Sequence, residues 1–308
     1  MNSKKLYLYF TLFVATAFFS SSNLFSGVVE SFSPKSKLIA KIDLDKLRNN
    51  IQYGKIKENN LNKYQIFCDS FIRETGINPE KINCIWLAGE RQKQGLIVVE
   101  GDFDSVSIKN ALQNKPEHEK IQKSGCLLAY ICPDKHNPGM KALASLIDNK
   151  TIVIGNPTIA EDFIGNFVAN TVAQDFKEKK YLQGNKFIEG IITGISEDEI
   201  QKKPFLSEIK NGYFSIDLDE KGLNMELSLN MSGQEQAEAV KNIFTGIATL
   251  QNSMKNNANR NEIGKDEFFK NLKIESSGNI ISADSFISNE IIEKIIDMNA
   301  QLEKKESF

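Results

Sequence analysis

Hydrophobic and polar positions alternate most regularly between residues 213 and 231. Phe214, Ile216 and Leu218 alternate with Ser215, Asp217 and Asp219; Leu223, Met225, Leu227, Leu229 and Met231 alternate with Asn224, Glu226, Ser228 and Asn230. A period of two predicts strands Tyr213–Leu218 and Leu223–Met231 around the turn Asp219–Gly222, with one face of their sheet wet. A similar hairpin is predicted upstream from Ile82–Gly89 and Gly95–Gly101. There, Ile85-Trp86-Leu87 and Leu96-Ile97-Val98-Val99 are apolar on both faces. Something must cover the second face of that sheet: the segment Pro138–Ala169, the other half of the chain, or a partner.

Helical spacing sets the remaining elements. Tyr64, Phe67, Cys68, Phe71 and Ile72 mark a helix over Leu61–Thr75, with Gly76 as its stop. Asp104–Gln113 predicts another. Ser232 and Glu235 form a capping box for a long helix with Ala237, Val240, Phe244, Ile247 and Met254 on one stripe and Leu250 at its edge. Helices are also predicted at Pro138–Ile147, from Thr158 (boxed with Glu161), over Ser196–Lys210 (Ser196 with Glu199) and over Asn289–Leu302. Strands are predicted at Lys37–Leu44, Cys126–Cys132, Thr151–Ile154 and Phe187–Ile195, a last strand or hairpin at Lys273–Ser288, and polar loops before Leu61 and over Asn252–Lys265.

The order repeats. Lys81–Gln113 is echoed by Gly212–Gly246, and Lys120-Ile121-Gln122-Lys123-Ser124-Gly125 by Lys273-Ile274-Glu275-Ser276-Ser277-Gly278. The expected fold is therefore α+β: a tandem duplication of a ferredoxin-like (βαββαβ) unit with antiparallel sheets. The first unit (37–180) is extended by an extra helix-strand-helix segment, and the second spans 185–303.

Composition places the chain among globular proteins: 308 residues, 41% hydrophobic, 25% charged. A net charge of −2 without clustered basic residues argues against a nucleic-acid partner. The start changes the picture more. Lys4 and Lys5 precede the apolar run Leu6–Phe19, followed by Ser20, Ser21 and Ser22. This is the order of a secretory signal peptide (residues 1–22, cleavage near Ser22), and the run is shorter than the roughly 20 residues of a spanning helix. An exported protein is expected, periplasmic or secreted. The alternative is an uncleaved N-terminal membrane anchor.

Export permits disulfides among the four Cys. Cys126 and Cys132 on one strand would stand roughly 20 Å apart and cannot bridge. Cys68 and Cys84 could meet if their helix packs on their strand; the alternative is four buried thiols. Cys126, Cys132 and His136, with Asp134 between, are the metal-ligand candidates, although C-x5-C along a strand splays ligands. The pairs Asp43/Asp45, Asp102/Asp104 and Asp217/Asp219 have the composition of acid–base or cation sites, but each falls at a strand end or turn, where capping is expected. No nucleophile elbow or phosphate-binding glycine loop is present. No catalytic residue and no cofactor are expected.

The Ile-Asp-Leu strand segments, with Asn149-Lys150-Thr151-Ile152-Val153-Ile154-Gly155, resemble exported bacterial proteins of unknown function built from duplicated α+β units. That resemblance implies no activity. The expected function is non-enzymatic: an exported protein that binds another envelope or exported macromolecule, or plays a structural role in the envelope. The alternatives are an exported hydrolase or metal-dependent enzyme using the Asp pairs or Cys126–His136, and a small-molecule carrier.

Overall fold

The computed structural model describes residues 26–33, 35–91, 94–113, 115–133, 139–171, 181–182, 186–195, 197–202, 204–253 and 263–294. Lys4–Ser22, Asp134, His136, Ser196 and Met254 lie outside them. The chain divides into two compact units. One takes residues up to Asn49 together with Asn60–Asn185; the other takes Asn50–Asn59 and the chain from Lys186.

The first unit begins with α1 (Ser26–Ser31), β1 (Leu38–Asp43) and α2 (Leu44–Arg48). The residues before Leu61 were expected as a polar loop, but they form α2 and α3 (Ile51–Asn59), the latter in the second unit. α4 (Leu61–Thr75) ends at Gly76, whose φ of 73° lets its N–H reach Ile72 O. β2 (Ile82–Arg91) and β3 (Gln94–Gly101) form the first hairpin, and Asp104 caps α5 (Ser105–Gln113). Then come β4 (Glu119–Ile121), β5 (Leu128–Pro133), β6 (Lys141–Asp148), β7 (Thr151–Gly155) and α6 (Pro157–Val168). The helix expected over Pro138–Ile147 is the strand β6. Its Ala- and Leu-rich sequence suits a helix, but ladders on both sides, to β5 and β7, override that preference. Asn156, rather than Thr158, caps α6, accepting from Thr158 N–H at 3.1 Å.

The first sheet runs β1-β2-β3-β7-β6-β5-β4, and each of these ladders is antiparallel. A ferredoxin-like unit places a third strand between the two strands joined by its first helix. Here β1 and β2 are direct neighbours, so that order is not found. Register puts Ile39, Trp86, Leu96, Val98 and Val153 on one face. The cover expected from Pro138–Ala169 comes from α6, which packs on β3, β6 and β7 and against α1. Phe32 fills the space between, 5.2 Å from Phe163 and 6.1 Å from Trp86. The other face is also dry, with Ala40, Ile42, Val99 and Ile152 buried. Burying each large side chain stabilises the unit by about 1.5–3 kcal/mol.

The second unit holds β8 (Ile188–Ile192), α7 (Glu197–Lys202), β9 (Ile209–Leu218), β10 (Gly222–Met231), α8 (Gln234–Ser253), α9 (Ile263–Asn271), β11 (Lys273–Ser277) and β12 (Ile280–Ser288). Its sheet runs β8-β9-β10-β12-β11, again antiparallel. The expected helix Ser196–Lys210 stops at Lys202; Pro204–Glu208 is a 3-10 turn, because proline lacks the N–H that would continue the helix. Part of the expected loop Asn252–Lys265 is helix: α8 reaches Ser253 and α9 starts at Ile263. Residues 289–294 are helical, and the rest of the expected terminal helix lies outside the described residues.

Leu229, Met231, Ala237, Val240 and Ile281 make the core between this sheet and α8. The inward stripe of α8 continues to Phe244 and Ala248, leaving Ile247 47% and Leu250 63% exposed. Spacings of three, four and four residues turn the buried stripe away from both. Ser232 does not box with Glu235; its hydroxyl bonds the Glu208 carboxylate.

Both units share one plan. A strand, a helix and a hairpin precede another helix, and a returning meander docks its last strand on the second hairpin strand. In the second unit that strand is β12. In the first it is β7, because the β6–β7 hairpin stands between β5 and β3. The echoed Lys120–Gly125 and Lys273–Gly278 both open this meander, and Gly125 and Gly278 both turn with positive φ, 77° and 58°.

Candidate functional site

Two polar sites stand out, one buried in the first sheet and one open on the second. The buried site arises from period-two geometry. Lys41 and Asp43 follow Ile39 on the covered face of β1, opposite Trp86 and Cys84 of β2, and Cys84 stands opposite Glu100 of β3. Lys41, Asp43 and Glu100 are 6%, 5% and 9% exposed. Lys41 Nζ lies 3.8 Å from Asp43 Oδ2 and 6.0 Å above the Trp86 ring. The Trp86 indole N–H donates to Glu100 Oε2 at 2.6 Å, and Asp43 Oδ1 is buried without a hydrogen-bond partner.

Burial decides the ionisation of this group. It pushes the Glu100 carboxyl up to about 7, although the Trp86 hydrogen bond and the Lys41 charge act downward. It lifts Asp43 to about 6 against the pull of Lys41 and Lys46. The Cys84 thiol is pushed well above its ordinary value, by burial first and then by Glu100. A buried thiol held protonated is no nucleophile. Sequence reading missed Lys41 and Glu100; the available signal was a charged residue inside an otherwise apolar strand, as in Leu96-Ile97-Val98-Val99-Glu100.

The second site is the polar face of the second hairpin, exposed at Glu226 but closed at Ser215, which is 2% exposed. Ser215, Glu226, Asp284 and Lys273 form one transverse row across β9, β10, β12 and β11. Ser215 Oγ donates to Glu226 Oε2 at 3.1 Å, and Lys186 lies 3.7 Å from Glu226 and 3.8 Å from Asp217. A cavity of about 820 Å3, open to solvent, is lined here by Tyr213, Glu226, Ser228, Ser282, Asp284 and Phe286, with Lys270–Lys273 along its rim.

Of the metal-ligand candidates, Cys126 and Cys132 are described, while Asp134 and His136 lie outside the described residues. Cys126 precedes β5 in a turn, its N–H on Lys123 O, and Cys132 lies in β5, so the expected strand Cys126–Cys132 begins only at Leu128. Among the described residues no group of three His, Cys, Asp or Glu side chains could hold a metal ion. All four Cys carry thiols, so the Cys68–Cys84 bridge is absent. The Asp pairs are divided by local bonding. Asp45 holds Arg48 at 2.5 Å, Asp104 caps α5, and Asp219 accepts from the N–H groups of Lys221 and Gly222 in its turn. Among the described residues no helix is long and apolar enough to cross a membrane.

No family model matches the chain, and no curated protein matches it. Among solved structures it is similar to crystal form III of TP0453, at 10% identity and a TM-score of 0.49, covering 87% of this chain and 96% of that one. It is similar also to crystal form I of TP0453, at 11% identity and a TM-score of 0.48, covering 90% and 97%. At these values the likeness supports no functional inference.

Proposed function

We propose that this chain is an exported, non-enzymatic binding protein that presents the polar face of its second sheet to another macromolecule. The observation that carries the reading is the open trough around Tyr213, Glu226 and Asp284. It combines carboxylates, lysines and aromatic rings on a rigid antiparallel sheet, which suits a polar, mixed-charge partner surface. The Lys4–Ser22 pattern supports export. The shared strand–helix–hairpin plan supports a tandem duplication. The enzyme alternative is weakened because one member of each Asp pair is engaged: Asp104 in a helix cap, Asp219 in its turn and Asp45 in an ion pair with Arg48. The carrier alternative calls for an enclosed apolar cavity, whereas this trough is mixed in polarity and open.

A photo-cross-linking amino acid placed at Ser282 in living cells tests the reading, with one at Lys63 on α4 as the control. A discrete adduct from Ser282, lost on adding Glu226→Arg and not formed from Lys63, supports it. No adduct from Ser282, or the same adducts from both positions, overturns it.

A further inference from the structure

α8 carries two apolar stripes, and its own sheet uses one of them. Ala237, Val240, Phe244 and Ala248 face the core. About a third of a turn away run Ala239, Ile243, Gly246, Ile247 and Leu250, all of them exposed. Ile243, Ile247 and Leu250 are 43%, 47% and 63% exposed. Their helical spacing keeps this second stripe in line over about 17 Å of helix. A single exposed isoleucine is ordinary, whereas three large apolar side chains in line on one helix mark an interaction surface.

The chemistry of the stripe narrows its occupant. From Asn242 to Ser253 the helix has no charged residue, and before that it has Glu235, Glu238 and Lys241. A helix lying on a lipid surface carries lysines and arginines along its polar face, and this one has a single lysine, already paired with Glu238 at 3.2 Å. A charged partner finds nothing along the stripe to complement. A second copy of the chain does fit, because large and small residues are placed so that the stripe complements itself. In an antiparallel pair that sets Ile243 against Gly246 of the second copy, Ala239 falls against Leu250. The two-fold axis repeats both contacts. Each large side chain then stands over a glycine or an alanine, the alternation by which facing helices interdigitate. A Cβ at Gly246 meets nothing within 4 Å in the single chain, so the space above it is open.

We propose that the chain forms a two-fold dimer through the exposed stripe of α8, with the two helices antiparallel, Ile243 against Gly246 and Ala239 against Leu250. α8 packs on the face of the second sheet that carries Leu229 and Ile281, whereas Glu226 and Asp284 lie on the other face. The pairing therefore leaves the trough open, and the dimer presents two troughs. One helix face falls short of the roughly 800 Å2 per partner of a standard interface, so the association is weak and rises with concentration.

Sedimentation equilibrium of the full chain over a wide range of concentration tests this. Every variant keeps Leu6–Phe19, so association through that run is common to all. The expected result is a monomer–dimer equilibrium weakened at least about tenfold in Ile243→Lys and in Gly246→Leu. Gly246→Leu separates the occupants. It adds apolar surface and helix propensity to the single chain, so it strengthens a non-specific or lipid contact, but it fills the space that Ile243 of a second copy enters. Orientation is read by disulfide formation in a Cys126→Ser, Cys132→Ser background. Ala239→Cys mixed with Leu250→Cys is expected to cross-link, and Ala239→Cys alone is not, because its two copies stand about 17 Å apart along the axis. The proposal is overturned by a chain that stays monomeric, by a dimer as strong in Gly246→Leu as in wild type, or by Ala239→Cys cross-linking to itself. Binding of the wild-type chain to neutral lipid vesicles that grows in Gly246→Leu overturns it in favour of a lipid surface.

Discussion

The ring of Phe32 stands 6.1 Å from that of Trp86 and 5.2 Å from that of Phe163, joining the end of α1, the sheet and α6 in one aromatic contact. Phe32 is fully buried, so truncation leaves a cavity that its neighbours only partly fill. Phe32→Ala is expected to cost about 3–5 kcal/mol. Urea unfolding followed by Trp86 emission measures it, and a loss below about 1 kcal/mol would show that the contact contributes little.

Gly76 ends α4 at φ 73°, and a Cβ there would stand 2.4 Å from the Ser107 backbone on α5. Gly76→Ala meets left-handed strain of about 1–2 kcal/mol and a backbone clash in addition. Gly278 has φ 58° with nothing near its Cβ position, so Gly278→Asn is expected to cost less than about 1 kcal/mol. Comparing thermal midpoints of the two variants separates clash from conformation.

Asp104 accepts from the N–H groups of Val106 and Ser107 at 3.0 and 3.3 Å, satisfying two open donors of α5. Asp104→Ala is expected to lower the denaturant midpoint, with Asp104→Asn retaining most of the cap. Denaturant midpoints of both variants check this.

Stability should fall with rising pH across the neutral range. Burial raises the Glu100 carboxyl from 4.5 in the unfolded chain to about 7, and Asp43 from 3.8 to about 6. The folded chain then binds protons more tightly than the unfolded chain. The stability this contributes is complete below the unfolded values and is lost as pH rises through about 6 and then about 7. Urea midpoints at pH 5 and pH 8 test the sign, and Glu100→Gln is expected to narrow the difference. A wild-type midpoint that rises with pH would contradict it.

Thiol accessibility should follow burial. Cys68 and Cys84 are buried, and Cys126 and Cys132 are half-buried. A thiol reagent at pH 8 is expected to modify Cys126 and Cys132 at least about tenfold faster than Cys84, with all four reacting after denaturation. Peptide mapping of a time course reads this out, and a Cys68–Cys84 disulfide found in the native protein would be at odds with the fold.

The strands and helices that could be read from sequence were those whose signal is local. The hairpin Ile209–Met231 shows through its alternation and its Asp219–Gly222 turn, and α4 through its periodic apolar residues and Gly76. β6 was misread because Lys141-Ala142-Leu143-Ala144 has the composition of a helix, and its strand form depends on β5 and β7. The Ile247 placement failed because small drifts in helical phase decide burial near the end of a long helix. Of the candidate sites, the wet face around Glu226 was legible, whereas Lys41 and Glu100 were not.

By itself the sequence determined an antiparallel α+β chain with two similar hairpins, since turn chemistry and period-two alternation act between neighbouring residues. Only the tertiary structure decided which strands lie side by side. Register across β1, β2 and β3 brings Lys41, Trp86 and Glu100 onto one face from positions up to 59 residues apart in the chain. The ionisation of Glu100 then depends on its burial, and burial of this kind comes from packing between distant segments rather than from any one stretch of sequence.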